Sequence, residues 1–247
     1  MRGRLPAAGA ALILCAALLP ARQLPLGGIT GGAAATAPSV VQACEAKKVF
    51  TASPSANCVM GSNVTSGNKV HVTFFANTAG GTPSISATGA GCSGISWTGG
   101  SAVQTFSGTF ASYYADASVA GSGACTITGT ATGVTADLSI VAVETTNDNG
   151  FDVSWDWSAV GFQTDPATPS ITTSLNNDLI LAGFHVNAGG TATVDSPFTV
   201  PTNGTTTSPI VAVAWNQQTS AGSISAQFHS GGTGGQTNAY TLAIKHP

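Results

Sequence analysis

From Lys69 to the C-terminus, the sequence alternates short apolar runs with glycine-rich turns, and this pattern leaves few folds open. In "KVHVTFFA", Val70 and Phe74 fall on one face of a strand, whereas Lys69, His71 and Thr73 fall on the other, which we expect to be solvated. The same period recurs in "CTITGTA", "ADLSIVAVE", "FDVSWDW", "NDLILAGFHV", "SPIVAVAW", "GSISAQF" and "NAYTLAIK". Short strands between turns such as "NDNG" and "PTNG" predict an all-β sandwich.

The surface of such a fold must be mostly hydroxyl and amide, because charged residues make up only 7% of the chain. A net charge of -3, with 7 lysines and arginines among 247 residues, disfavours binding to nucleic acid. The chain is rich in glycine, serine and threonine, but 43% of its residues are apolar and recur in strand-like runs. We therefore expect a folded protein rather than a disordered one.

The first 35 residues have the composition of an export signal followed by a low-complexity lead-in. "MRGR" supplies positive charge and "AAGAALILCAALLP" an apolar core, which Pro20 and Arg22 end before the ~20 residues that a membrane span needs. Cleavage after Ala21 and cleavage after Ala35 both fit the small residues that follow. The sequence thus predicts a cleaved signal peptide, no retained membrane span, and a secreted or cell-surface protein.

Cysteine content fits this compartment. Cys15 would leave with the signal, and Cys44, Cys58, Cys92 and Cys125 remain, an even number that favours two disulfides in an exported chain. A zinc site is disfavoured because no C-x-x-C spacing is present. Of the three connectivities, we predict the most local one, which joins Cys44 to Cys58 and Cys92 to Cys125.

The order of the strands resembles a module of secreted bacterial proteins. "SYYADASVAGSGACTITGT", "LSIVAVE", "DPATPSITTSLNNDLILAGFHV", "AGSISAQF" and "YTLAIKHP" carry the resemblance, which covers roughly residues 65–246. The resemblance implies an antiparallel jelly-roll sandwich of the concanavalin or LamG-like kind, and it implies no established activity. The chain departs from that pattern in its cysteines and in "TTNDNG" after Glu144. We expect residues 36–247 to form a single β-sandwich domain.

The stretch "FDVSWDW" is the first candidate site. As a strand, it places its four apolar residues, from Phe151 to Trp157, on one face and Asp152 and Asp156 on the other. The tryptophans then pack the core, or stack on sugars if their face is exposed. Four residues of strand separate the two aspartates by about 13 Å. Glycoside hydrolysis needs carboxyls about 5 to 9.5 Å apart, so this pair is too far apart to be catalytic.

A calcium loop is the second candidate. In "TTNDNGFDVSWD", Asn147, Asn149 and Asp156 stand at spacings partly like those of a calcium loop, although Thr145 occupies the first ligand position. A plain hairpin turn built on Asn-Gly is the alternative, and both interpretations remain open from the sequence. Calcium is the only cofactor that the sequence suggests.

Catalytic motifs are missing from the sequence. His71, His185 and His229 have no partner at ligand or nucleophile spacing, and no serine lies in a G-x-S-x-G elbow. We therefore predict a non-catalytic module that binds a glycan or another surface component, or that has a structural role. A secreted carbohydrate-active enzyme is the alternative. The sequence does not indicate which residues would bind the ligand.

Overall fold

The computed structural model describes residues 36–76, 82–106, 110–186, 190–202, 204–205, 210–232 and 235–246, with only the backbone course of 99–106, 110–111, 155–162, 210 and 236. The predicted signal and lead-in, residues 1–35, lie outside the described residues. The described part of the chain consists of strands, turns and loops. It contains no helix of the length and hydropathy that a membrane crossing requires.

The strands of the described residues number sixteen. The first eight are β1 Ser39–Ala52, β2 Ser55–Val59, β3 Lys69–Ala76, β4 Thr82–Thr88, β5 Thr98–Phe106, β6 Phe110–Ser118, β7 Thr126–Thr132 and β8 Thr135–Thr146. The second eight are β9 Phe151–Gln163, β10 Ile171–Thr172, β11 Asp178–Val186, β12 Thr193–Val194, β13 Ile210–Gln218, β14 Ser223–Ile224, β15 Phe228–His229 and β16 Gly235–Ile244.

These strands pair into antiparallel sheets, so the predicted all-β, antiparallel fold is confirmed. The N-terminal large sheet has the order β1-β8-β3-β6-β5, and the C-terminal large sheet has the order β13-β11-β16-β9. A smaller outer sheet has the order β2-β7-β4. The pairs β10-β14 and β12-β15 form short cover strands.

Three apolar cores show that these sheets are stacked in layers. The first core lies between the outer sheet and the N-terminal large sheet and includes Phe74, Ile127 and Ile140. The second joins the two large sheets, through clusters that include Phe75 with Val211 and Tyr114 with Leu181. The third packs the other face of the C-terminal large sheet, from Ile180 to Val186, against the cover strands. The N-terminal large sheet is therefore an internal layer.

This layering corrects one prediction from the sequence. The "KVHVTFFA" segment was expected to be half-buried, but His71 and Thr73 are only 3% and 2% exposed, because their face packs against the C-terminal large sheet. β8 and β11 are buried on both faces in the same way. Alternation of polar and apolar residues identified the strand correctly but misplaced its polar face.

The pairing order repeats along the chain. In the first half, β1 pairs with β8, β2 with β7 and β3 with β6. In addition, β3 pairs with β8 on its other edge, and β7 pairs with β4 on its other edge. In the second half, β9 pairs with β16, β10 with β14, β12 with β15, and β11 with both β13 and β16. The two large sheets thus share part of their strand order, β1-β8-β3 in the first half and β9-β16-β11 in the second, so that β3 corresponds to β11.

Two disulfides stabilise the first half, one between its layers and one within its outer sheet. Cys44 on β1 bonds to Cys58 on β2, with the Cα atoms 5.4 Å apart, and links the N-terminal large sheet to the outer sheet. Cys92, in the loop after β4, bonds to Cys125 just before β7, with the Cα atoms 5.2 Å apart. These are the pairings that the sequence predicts. Each disulfide is expected to stabilise the fold by about 2–4 kcal/mol.

Close approach of two strands explains Gly183 on β11. This glycine lies opposite Tyr240 of β16, and a Cβ atom at Gly183 would overlap the tyrosine ring. The ring crosses the space between the large sheets, where its hydroxyl lies 2.7 Å from Oγ1 of Thr73 on β3. The missing side chain of Gly183 therefore makes room for a hydrogen bond between the two halves.

We predict that Gly183→Ala destabilises the protein by about 1–3 kcal/mol, the range for overpacking a well-packed interior. The matched control is Gly61→Ala, because a Cβ atom at Gly61 meets nothing within 4 Å. Urea denaturation of the two variants measures the difference. Equal midpoints for Gly183→Ala and the wild type would contradict this account of the interface.

Candidate functional site

The outer sheet presents a flat array of hydroxyl groups on the side away from the core. Burial alternates along all three strands, so that every second residue of β2, β4 and β7 points outward. We call this surface the hydroxyl face; it consists of Ser55, Asn57, Val59, Thr82, Ser84, Ser86, Thr88, Thr126, Thr128, Thr130 and Thr132. It carries no charged and no aromatic side chain.

Strand register makes this array regular. Thr128 at the centre of β7 has Ser86 on one side and Asn57 on the other, and Thr130 likewise lies between Ser84 and Ser55. Neighbouring strands lie about 4.8 Å apart, and every second residue along a strand about 6.7 Å apart, so the side chains form a lattice. Thr128 Oγ1 donates to Asn57 Oδ1 at 2.9 Å, which fixes one row of the lattice.

A buried cluster around His71 is the most highly connected polar group between the large sheets. His71 Nε2 donates to Asp148 Oδ2 at 2.8 Å, and its Nδ1 lies 2.6 Å from the Tyr114 hydroxyl. Lys69 Nζ lies 3.0 Å from Asp148 Oδ1, and the backbone NH of Gly150 donates to the same oxygen at 2.9 Å. The cluster therefore fastens the turn between β8 and β9 to β3.

Electrostatics favour the ionised form of Asp148. Burial opposes the charge, but the hydrogen bonds and the charge of His71, with the bonds from Gly150 and Lys69, lower the pKa of Asp148 to about 2. Burial raises the pKa of Tyr114 well above its ordinary value, and the nearby Asp116 acts in the same direction. Asp148 therefore carries a charge at neutral pH beside a tyrosine that stays protonated.

A second buried cluster brings a serine to a histidine. Ser112 Oγ on β6 lies 2.6 Å from His185 Nδ1 on β11, and Asn238 Nδ2 on β16 donates to the serine at 2.9 Å. Spacing along the sequence did not indicate this pair, which lies 73 residues apart. However, Ser112 and Asn238 are 0% exposed and His185 is 1% exposed, so no substrate reaches them. Burial also lowers the pKa of His185 to about 3.

The spacing of residues along the sequence does not predict the partners of His71 and His185. Ser112 and His185 are 73 residues apart, and His71 and Asp148 are 77 apart. They meet because β6 and β11 face each other across the two large sheets, and because the turn after β8 returns to β3. Only the strand order supplies these contacts.

Glu144 has a structural role at the end of β8. Its carboxylate accepts hydrogen bonds from Gln42 Nε2 at 2.6 Å, from the Thr65 NH at 2.9 Å and from Asn68 Nδ2 at 2.6 Å. Its side chain lies on the face of the N-terminal large sheet turned towards the outer sheet, and Glu144 is 0% exposed. The residue holds the loop between β2 and β3 in place.

The "FDVSWDW" stretch lies on β9, but its predicted faces are only partly correct. Phe151 pairs with Ile244 and packs between the large sheets, whereas Val153 pairs with Ala243 and packs under the cover strands. A register shift between these two pairs breaks the alternation. The side chains of Trp155 and Trp157 lie outside the described residues, so their core packing stays a prediction.

The calcium site at Asn147, Asn149 and Asp156 also stays a prediction, because the Asp156 side chain lies outside the described residues. Asn147 has a positive φ of 54° and donates to the Ala37 carbonyl at 3.3 Å. The Asn149 NH donates to the Lys245 carbonyl at 3.3 Å. In the described chain, no three histidine, cysteine or acidic side chains converge on one point.

A shallow cleft of about 420 Å³ is the main alternative to the hydroxyl face. It lies between β1 and β13, and its lining includes Val41, Gln42, Ser62, Pro201 and Trp215. Trp215 is only partly exposed, because it also packs against the core between the large sheets. The cleft therefore offers only part of one aromatic side chain.

Comparison with known proteins does not choose among these sites. No protein-family description, no curated protein and no solved structure matches the chain. The resemblance to secreted bacterial jelly-roll modules therefore stays a prediction. The hydroxyl face is the best candidate site, because it is the described surface that combines exposure, regular spacing and uniform chemistry.

We predict that Asp148→Asn destabilises the protein by about 2 kcal/mol at pH 7, the free energy that corresponds to its lowered pKa. Because the folded-state pKa is depressed, this contribution is present above about pH 4 and is lost as the pH falls towards 2. The difference between variant and wild type should therefore shrink in acid, as measured by urea denaturation across pH.

The control for this prediction is Asp195→Asn, which removes an exposed carboxylate beside His229. It should change the stability at pH 7 by no more than a few tenths of a kcal/mol. If Asp148→Asn proves no more destabilising than the control, then the buried cluster does not depend on the Asp148 charge.

Proposed function

We propose that this protein is an exported, non-catalytic module that adsorbs to neutral polysaccharide through the hydroxyl face. The observation that carries the proposal is the regular, uncharged array of serine and threonine side chains on the outer sheet. Each such hydroxyl donates one hydrogen bond and accepts others, which matches the hydroxyls of an extended glycan chain. No ion is needed for this recognition.

The absence of charged and aromatic side chains from the hydroxyl face restricts the kind of polymer that it can bind. Without charged side chains, it has no attraction for acidic polymers, and binding should change little with salt. Without aromatic rings, it cannot stack on single sugar rings as deep glycan sites do. Many weak contacts on a flat lattice instead favour a repetitive, extended surface over a short oligosaccharide.

The fold and the disulfides support export. Two disulfides, a sparsely charged chain and an apolar N-terminal run are the combination expected of a secreted or cell-surface protein. The pairing of β1 with β8, β2 with β7 and β3 with β6 supports the jelly-roll assignment, because a jelly roll is a rolled antiparallel hairpin. The order β9-β16-β11-β13 supports the same assignment for the second half.

The structural and catalytic alternatives find less support. β4, at one edge of the outer sheet, contains Pro83, which removes a backbone donor and disfavours strand addition into a fibre. A carbohydrate-active enzyme would need two accessible carboxyls at hydrolytic separation. The exposed carboxyls of Asp165 and Asp195 are both hydrogen-bonded to His229. Among the described residues, the serine–histidine pair at Ser112 and His185 is closed to solvent.

We predict that the mature protein is retained by insoluble neutral polysaccharides, such as cellulose and chitin, in a sedimentation assay. The double substitution Ser86→Ala and Thr128→Ala removes two adjacent hydroxyls at the centre of the face. It should weaken binding about tenfold, since each lost hydrogen bond contributes on the order of 0.5–1.5 kcal/mol. Retention of the wild type should be the same in low and high salt.

The matched control is Ser220→Ala with Thr193→Ala, which removes two exposed hydroxyls from loops and cover strands of the second half, away from the hydroxyl face. It should bind like the wild type. Equal loss in both double variants, or no retention of the wild type, would refute the proposal. Release of soluble sugar would favour the enzyme alternative, and adsorption to ice instead of polysaccharide would keep the face but change its ligand.

A further inference from the structure

Asp178 is a buried carboxyl whose two oxygens have no hydrogen-bond donor. It opens β11 and is 0% exposed, and no donor group of the described chain reaches either of its carboxyl oxygens. Its carboxyl instead makes a polar contact with the carboxyl of Asp152. It is not among the ion-paired residues of the described chain. A buried carboxylate without a donor or a cation costs several kcal/mol, so its environment is incomplete as it stands.

The neighbour of Asp178 is a second carboxyl, that of Asp152 on β9. Asp152 Oδ2 accepts a hydrogen bond from the Ser174 NH at 2.6 Å, and its Oδ1 accepts one from the Ser174 hydroxyl. These bonds hold the loop between β10 and β11 and favour the ionised form of Asp152. Burial and the adjacent Asp152 carboxylate raise the pKa of Asp178 to about 7.

The first half of the chain has a comparable arrangement, although its carboxylate lies on β8, whereas Asp152 lies on β9, the strand that corresponds to β1. There the Glu144 carboxylate fastens the loop that leads into β3, and Asn68, just before β3, donates its amide to Glu144 at 2.6 Å. In the second half, Asp152 fastens the loop that leads into β11, and Asp178 stands at the start of that strand. The amide donor of the first half is thus replaced by a carboxyl.

A positive group must therefore stand between the two carboxyls of the second half, either a proton or a cation. Gln218 is the cross-strand neighbour of Asp178 and brings an amide oxygen to the same side of the sheet. The Gln218 oxygen accepts only one long bond, from Thr173 Oγ1 at 3.3 Å. Two carboxylates and a neutral oxygen are hard ligands, of the type that calcium prefers.

We propose that Asp178 and Asp152 bind a calcium ion, with Gln218 as a neutral ligand, and that this ion stabilises the loops around the start of β11. With two carboxylates, the affinity falls in the range of extracellular calcium modules, with dissociation constants of about 10⁻⁴–10⁻³ M. The site is separate from the hydroxyl face, so it does not depend on the proposed function. It is also separate from the site predicted at Asn147, Asn149 and Asp156.

The test compares the thermal unfolding of calcium-free wild type at pH 7.5 with and without about 10 mM calcium chloride, which exceeds the expected dissociation constant. Calcium should raise the wild-type Tm by on the order of 2–6 °C. Asp178→Asn places an amide donor beside the Asp152 carboxylate, as Asn68 does beside the Glu144 carboxylate. This variant should show no calcium response, and its calcium-free Tm should equal or exceed that of the wild type.

Two further measurements keep the result unambiguous. Asp165→Asn removes an exposed carboxylate elsewhere and should keep the full calcium response. Titration calorimetry of the wild type should detect one calcium ion per chain, and Asp152→Asn should abolish this binding, which tests the site even if Asp178→Asn does not fold. A calcium response that survives in a folded Asp178→Asn would overturn the proposal, because the ion would then bind elsewhere.

A shared proton is the outcome that would replace the calcium ion. In that case, the wild type would not respond to calcium, and its stability would fall as the pH rises from about 4 to 7. The sign follows from the raised folded-state pKa of Asp178, since the protonated form is the stable one. Asp178→Asn would then remove this loss of stability with rising pH.

Discussion

Contact between the two large sheets is the interaction on which the rest of the structure depends. It buries β3 and β8 of the first half against β11 and β16 of the second, and each of these strands has its other face covered as well. Polar side chains at this contact must find partners inside the protein, because water is excluded. The His71 cluster and the Thr73–Tyr240 hydrogen bond are the result, and the latter joins the two halves directly.

Prediction from the sequence worked where one strand face meets solvent and failed where both faces are buried. Alternation in β7 places Thr128 outside and Ile127 inside, as the structure has them. The same alternation in β3 was misleading, since His71 is polar but buried. The disulfides were predictable because they are local, whereas the partner of His185 depends on strand order. The register shift after Phe151 leaves no signal in the sequence.

The strand order that the two large sheets share explains how one fold supports surfaces of different chemistry. In the first half, the outer sheet is long enough to form the hydroxyl face, and disulfides hold it against the core. In the second half, the corresponding strands are reduced to two residues each, and loops cover the large sheet instead. The residues that precede or open β3 and β11 also differ: Asn68 donates its amide to the Glu144 carboxylate in the first half, whereas the Asp178 carboxyl of the second half would bind a cation.

Native-state hydrogen exchange tests most directly whether the two halves are stabilised by their contact. If they are, the amides of β3 and β11 should exchange only through global unfolding, with opening free energies equal to within about 0.5 kcal/mol. The exposed edges of β2 and β4 should exchange through smaller openings. The account would be contradicted if β11 and β16 opened together at a free energy well below that of β3, because the second half would then unfold while the first stayed intact.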